Sequence, residues 1–439
     1  MSEMSDAASE VVTSEVSNRA PYLPFPVVGI GASAGGMPAL LRLFEQMPAN
    51  NGMAFVVVLH LSPKHQSSAD QLLQRATRMP VLQVVESVKI EPNHVYVIAP
   101  SKQLTMMDGS LTVAEMQRPR GQHIAIDAFF RTLAEAQRER AVALVLSGTG
   151  GDGAVGIARI KESGGVIIVQ HPGDAEHDGM PLTAIGTGLV DFVLPVVEMP
   201  QKLVDLWRNA STMELPPAGP DGAPASAVTE LDDTADAEHA LQRVLGMLRA
   251  QTGHDFRQYK RATVLRRIER RMQVRAVHSL PEYLRLLEAD AGEHKLLLND
   301  LLIGVTNFFR DREAFDTLER DIIPALFRDR KASDEVRAWV AGCATGEEAY
   351  SLAMLLADQA ALVAHPPNYQ VFASDIDEHA IAIARAGLYP TSIVTDVTPA
   401  RLRQHFTRDE NRYQIRKAVR DRILFAVHNL LRDPPFSRI

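Results

Sequence analysis

Between Pro26 and about Trp207, short apolar runs alternate with amphipathic stretches, and no other feature constrains the fold of this chain so tightly. The runs are Val27–Ile30, Phe55–Leu59, Val95–Ile98, Ala143–Leu146, Val166–Val169 and Leu189–Leu194. Helical patterns such as Met37–Met47 and Ala125–Ala136 lie between them. Strands buried on both faces read as unbroken apolar runs, because helices cover the sheet above and below. The predicted class is therefore α/β, with a doubly wound, mostly parallel sheet over residues 22–208.

Composition sets the outer limits. A chain of 439 residues, 46% hydrophobic and 23% charged, is too long for one average domain and too apolar to be wholly disordered. No window holds the roughly 18 unbroken apolar residues of a membrane span, so no membrane insertion is expected. Residues 1–21 are polar and acidic and read as a disordered leader rather than a signal peptide. The single cysteine, Cys343, excludes an internal disulfide and fits a reducing cytoplasm. A net charge of −8 argues against a generic nucleic-acid partner.

Beyond the first module, residues 209–238 are rich in Pro, Ala, Gly and Asp and read as a linker. Residues 239–318 carry helical patterns without strand-like runs and predict a small all-α unit. Strand signals return at Val336–Val340 and Tyr369–Ala373 in a unit spanning 319–439. Tyr413–Lys417 and Ile423–Val427, around a polar turn, predict an antiparallel pair.

The segment Gly29-Ile-Gly31-Ala-Ser33-Ala34-Gly35 admits two chemistries. Gly29, Gly31 and Ala34 fit the turn that brings a helix N-terminus onto a dinucleotide. Gly31, Ser33 and Gly35 fit the strand-to-helix turn that presents a nucleophilic serine. A dinucleotide site wants an acid at the end of the next strand, yet that run ends in His60, a candidate general base. A third run leads to a glycine-rich turn holding Asp152, a candidate orienting acid. The simpler alternatives are a helix cap for Ser33, a core histidine at His60 and a turn former at Asp152. Nothing near His60 and His65 completes a metal-ligand set, so no metal is expected.

In the second module, Asp255–Arg275 carries eight Lys or Arg against two acids, with Val264, Leu265, Ile268 and Met272 as an apolar stripe. Either a solvated face or docking to an acidic surface follows, through Arg266, Arg267, Arg270 and Arg271. Downstream, Gly342 and Gly346 let a ligand approach a strand-to-helix turn, and Glu347 and Glu348 disfavour a phosphate there. The next strand ends in Asp375, suited to ribose hydroxyls. Together these suggest S-adenosyl-L-methionine. Cys343, with no histidine nearby, reads as a loop filler.

Pro26 to about Trp207 resembles the catalytic domain of bacterial chemotaxis protein-glutamate methylesterases, through GIGASAGG, VVLHLSP, VYVIAPS, IDAFFRTLA, LSGTGGDGAVG and DGMPLTAI. That resemblance implies Ser33 as nucleophile, His60 as base and Asp152 as orienting acid on a γ-glutamyl methyl ester, with no cofactor. Ala34 stands where the family commonly has Thr, and Thr149-Gly150-Gly151 precedes Asp152 where it often has Met-Gly-Asn. The receiver domain usual in that family would be lacking.

From His239 the chain resembles the chemotaxis receptor glutamate methyltransferases, through YKRATVLRRIERRM, GVTNFFRD, GCATGEEAYSLAM, FASDIDEHAIAIARAGLY and AVHNLLRDPPF. The resemblance implies cofactor contacts from Thr306, Arg310, Glu347 or Glu348, Asp375 and the Asn429-Leu430 pair. It also implies an inserted β-subdomain near 388–424 and docking of the arginine helix on receptor helices. Gly304 stands where the family often has Asn, and the Rossmann-like sheet is expected to be cut short at DPPFSRI. The expected whole is a cytoplasmic, fused receptor-modifying enzyme whose partners are methyl-accepting chemoreceptor helices and other sensory signalling proteins. The alternative is an impaired adaptor that docks receptors without catalysis, and a nicotinamide oxidoreductase using Gly29–Ala34 is the third reading.

Overall fold

The computed structural model describes residues 22–59, 69–100, 102–115, 124–219, 222–226, 235–304, 306–409 and 412–439. The leader, His60 and residues 227–234 of the expected linker lie outside the described residues. Seven parallel strands form the first sheet, in the order Phe192–Leu194, Val166–Gln170, Ala141–Val145, Val27–Ala32, Ala54–Leu59, Val95–Ile98, Val81–Val84. Every residue of Val27–Ala32, Ala54–Leu59 and Ala141–Val145 is buried, as a sheet covered on both faces requires. One helical layer groups Gly36–Gln46, Ala69–Ala76 and Met199–Ala210, and another pairs Ala125–Gln137 with Gly156–Glu162.

The chain leaves Val27–Ala32 toward Ala54–Leu59 on one side and returns to pair Ala141–Val145 on the other. Strand order therefore reverses at the first strand, which opens a crevice at its carboxyl end. Ser33 and the turn leading to Asp152 leave the sheet at that crevice.

Sequence patterning missed the short edge strand Val81–Val84 and a separate antiparallel sheet of Val88–Lys89, Ser110–Glu115 and Lys102–Met107. Their runs are interrupted by polar residues and half exposed, so no continuous apolar block marks them. Asp108-Gly109, both at positive φ between two of these strands, is a hairpin signal present in the sequence.

Helices Ala235–Thr252, Arg261–Arg275, Leu280–Ala289 and Ala291–Leu301 bury Leu241, Val244, Ile268, Met272, Tyr283 and Leu287 as a second core. The expected linker is tied down in its described parts. Ala225 is fully buried and its N–H donates to Tyr259 O at 2.8 Å, while Glu214 N–H donates to His278 O at 2.9 Å. Pro and Gly lower the content of regular structure in that stretch but leave its other backbone groups able to pair with a neighbour.

The third core surrounds a parallel sheet of Glu335–Ala341, Asn368–Asp375 and Ile423–Val427, with the middle strand at its centre. Phe308 and Phe315 belong to this core, so the cores change over before residue 318. The antiparallel pair expected from Tyr413 and Ile423 does not form. Arg412–Ile415 pairs with Leu388–Pro390 and Phe406–Asp409, whereas Ile423–Val427 joins the parallel sheet. Lys417–Arg420 forms a helical turn between them, and that turn redirects the chain from one sheet to the other.

Candidate active sites

The first site is built at the strand reversal. Ser33 follows its strand directly, and its N–H donates to Ser147 O at 3.0 Å while its carbonyl accepts from Gly36 N at 2.9 Å. The next helix begins on Gly35, in the left-handed region, with no side-chain cap. Ser33 therefore does not spend its hydroxyl on capping, which removes the simpler reading of that residue. Ser147 locks the neighbouring strand end: its hydroxyl donates to Ala34 O at 2.9 Å and accepts from His177 N at 2.9 Å. Beside it, Gly148 lies so near Ser33 that an added Cβ would stand 2.9 Å from the Ser33 Cβ.

Asp152 is 7% exposed and sits at the N-terminus of the Ala125–Gln137 helix. Its Oδ2 accepts from Ile126 N at 3.0 Å, and its Oδ1 accepts from Asp127 N and Gly153 N, both at 2.9 Å. Three backbone amides thus fix the position of this carboxylate at the helix N-terminus. The Ile126 side chain fills the space beside Gly31, two residues before Ser33. One residue thus links the Asp152 carboxylate to the serine turn. The described part of the neighbouring strand ends at Leu59, level with Ala32 in the register. The candidate base, His60, lies outside the described residues.

Asp127 was not singled out from sequence. It is 1% exposed, and its Oδ1 accepts from Val155 N at 3.0 Å and Gly156 N at 2.7 Å. Its Oδ2 is buried without a partner. Burial first, and then the Asp152 charge, push its carboxyl up to about 8. An acid on the apolar face of a helix, between Ile126 and Phe130, is the signal that would have marked it.

The second site lies at the carboxyl ends of Glu335–Ala341 and Asn368–Asp375. Asp375 Oδ2 accepts from Ala344 N at 2.8 Å and its Oδ1 from Asp377 N at 3.0 Å. Glu347 opens the following helix, accepts from Thr345 Oγ1 at 2.6 Å, and is pushed by burial up to about 7. Partial burial also raises the Glu348 carboxyl, and the nearby Arg310 charge opposes that rise. Cys343 is buried in this turn, and burial together with Asp375 pushes its thiol up to about 12, as suits a filler rather than a nucleophile.

Three carboxylates around one turn suit a cationic ligand. Open space where Gly342 would carry a side chain leaves room at the strand end. A cleft of about 210 Å³ continues beside it, lined by Arg249, His254, Tyr259, Ile376, Asn429 and Leu431. Asn429 is thus at the site, whereas Leu430 is 54% exposed and does not line the cleft. Thr306 is half-buried in the irregular loop that leads to Arg310.

The arginine helix is a correction. Three of its four expected docking residues, Arg267, Arg270 and Arg271, are buried within the chain. Arg270 pairs with Asp191 of the first module and with Asp300, and its Nε donates to Gly165 O at 3.0 Å. Arg267 donates to Lys161 O at 2.8 Å, and Arg271 grips both oxygens of Glu293 at 2.8 Å. Arg266 packs on Gly164. Composition identified a basic face but not what covers it: the acceptors come from an element some hundred residues away.

Residues 28–203 match the family model "CheB methylesterase", 239–302 "CheR methyltransferase, all-alpha domain", and 304–439 "CheR methyltransferase, SAM binding domain". An uncharacterized 104.1 kDa protein of Rhodobacter capsulatus is 40% identical over 84% of this chain and 39% of its own length. The chain therefore spans well under half of that relative. The chemotaxis protein methyltransferase of Escherichia coli is 33% identical over 44% of the chain and 66% of its own length. The protein-glutamate methylesterase/protein-glutamine glutaminase of Pyrococcus abyssi is 33% identical over 40% of the chain and 49% of its own.

Proposed function

This chain belongs to the CheB methylesterase family in its first half and to the CheR methyltransferase family in its second, and we propose that it removes and adds methyl groups on chemoreceptor glutamates. The observation that carries the esterase reading is the pairing of the Ser33 and Asp152 strands at the sheet's reversal, with Ile126 linking the two residues.

On this reading Ser33 Oγ attacks the carbonyl carbon of a γ-glutamyl methyl ester while His60 takes the hydroxyl proton. The tetrahedral intermediate collapses, the C–OCH₃ bond breaks, and His60 returns the proton to the departing methanol. Water, deprotonated by His60, then attacks the acyl-serine and releases glutamate. Asp152 orients the imidazole and balances its positive charge. Ser33 N–H is already committed to Ser147 O, so the Ala34 N–H is the backbone donor offered to the oxyanion. The esterase step calls for no cofactor.

In the second half, bound S-adenosyl-L-methionine would supply an electrophilic methyl group. Asp375 suits its ribose hydroxyls, Glu347 or Glu348 its ammonium group, and Asn429 lines the cleft beside them, while Thr306 and Arg310 would approach the cofactor from their loop and Leu430, which is exposed, would contribute only through its backbone. No helix among the described residues is long and apolar enough to cross a membrane, and we assign the activity to the cytoplasm, acting on receptor helices.

The test is methanol release from a receptor fragment methylated on glutamate, with Ser33→Ala alongside. Release that depends on Ser33 supports the esterase. Release unchanged in Ser33→Ala overturns the mechanism, and no release from folded wild-type protein favours the docking adaptor.

A further inference from the structure

The first module reaches into the second at the cofactor loop. Residues 306–311 form neither helix nor strand, and Phe309 and Asp311 hold φ of 51° and 57°. Non-glycine residues in that region are strained and persist only where their surroundings hold them. Part of the restraint is local. Phe308 is buried with its ring 4.9 Å from Tyr389 and 5.6 Å from Phe406, and Phe309 N–H donates to Ser351 Oγ at 3.0 Å. Gly304 lies against the glycine turn itself: a Cβ there would stand 2.9 Å from the Ala344 Cβ, and Ala344 N–H holds Asp375. A change in this loop is therefore felt at the cofactor carboxylates.

A further polar restraint comes from the Gly156–Glu162 helix of the first module. Arg159 Nη2 donates to Asn307 Oδ1 at 2.5 Å, and its Nη1 donates to Glu162 Oε2 at 2.8 Å. The other oxygen of Glu162 lies 3.6 Å from Arg310. Nearby, Arg131 grips both oxygens of Asp396 at 3.0 and 3.3 Å. Asp396 and Arg159 both act electrostatically on Glu347, the first opposing its ionised form and the second favouring it. A cation of the first module thus serves both the loop and a cofactor carboxylate.

We propose that Arg159 and Glu162 are positioning residues of the methyltransferase cofactor site, holding the 306–311 loop through Asn307 and Arg310. The inference rests on the reading of the second half as an S-adenosyl-L-methionine site. It makes the esterase domain a structural part of the opposing enzyme, so the second half alone binds cofactor less well than the full chain. The residues never touch the reacting methyl group; they act through the loop.

Isothermal titration of the full chain with S-adenosyl-L-homocysteine tests it. Arg159→Ala is expected to weaken binding about 5- to 10-fold, of the size that loss of one ordinary hydrogen bond produces, because the residue acts on the cofactor only through the loop. Arg159→Lys, which keeps the charge, should recover part of the loss. Asn307→Ala removes the same contact from the other side, and the Arg159→Ala/Asn307→Ala pair should bind no worse than Arg159→Ala alone. Loss of affinity with this lack of additivity supports the proposal. Wild-type affinity in both Arg159→Ala and Asn307→Ala overturns it and leaves the cofactor reading standing. Absence of binding by the folded wild-type chain overturns the cofactor reading, and the proposal with it.

Discussion

Arg270 of the helical unit and Asp191 of the first sheet form an ion pair buried across the junction between the two halves, with side chains 0% and 1% exposed. Asp300 accepts from the other arm of the guanidinium, and Lys161 reaches Asp191 at 2.9 Å and Asp300 at 3.4 Å. Two cations and two carboxylates therefore compensate one another out of water. The arrangement fixes how the halves meet, since each charge has its partner on the other side of the seam.

Removing one member should be costly. Arg270→Met leaves Asp191 with Lys161 and Asp300 with Lys161 and the more distant Arg271, and breaking a buried pair from one side costs about 3–5 kcal/mol. Urea unfolding is expected to show that loss. An unchanged midpoint and slope would mean the junction is not closed in solution.

Gly148→Ala should impair the esterase without unfolding it. The new Cβ would overlap Met180 Sδ and stand 2.9 Å from the Ser33 Cβ, so both must give way. A displaced nucleophile costs on the order of 100-fold in rate. Methanol release and the thermal transition, measured together, separate the two effects; wild-type release would show that Ser33 tolerates the shift.

Asp127 makes stability depend on pH. Its native carboxyl stands at about 8 against an ordinary 3.8, so between those values the folded chain holds a proton that the unfolded chain has lost. The stabilisation is fully present below 3.8 and is lost as pH rises toward about 8, by up to about 1.4 kcal/mol per pH unit. Asp127→Asn mimics the protonated form and should lack this decline. Denaturant unfolding of both proteins from pH 5 to 9 checks it, and parallel curves would refute it.

Glu347 should make cofactor affinity pH-dependent. Burial holds its carboxyl at about 7, so below that pH it is protonated and cannot balance a cationic ammonium. Affinity for S-adenosyl-L-homocysteine is expected to climb up to roughly tenfold per unit as pH rises to 7 and then level off. Glu347→Gln should bind weakly and evenly across that range. A flat wild-type titration would remove Glu347 from the site.

The first sheet was legible in the chain because its strands are buried on both faces, so Val27–Ile30, Phe55–Leu59 and Val166–Val169 announce themselves without reference to neighbours. The strand ends that carry Ser33 and Asp152 were legible for a related reason: strand ends and glycine turns are local signals. The same locality failed at Ile423–Val427, an apolar run compatible with either an antiparallel pair or a parallel sheet; only packing beside Val371–Asp375 settled the partner. It failed again at the arginine helix, whose basic residues are plain in the sequence while their acceptors at Lys161, Gly165 and Asp191 are not.

Local sequence thus determined which segments become strands and helices and where their reactive residues leave the sheet, because burial and turn geometry act over a few residues. Tertiary structure alone decided that Asp127 is trapped beside Asp152, that the arginines turn inward, and that Arg159 braces the loop of the other half. Those outcomes depend on desolvation and on charges brought together from distant parts of the chain, and no window of sequence contains both partners.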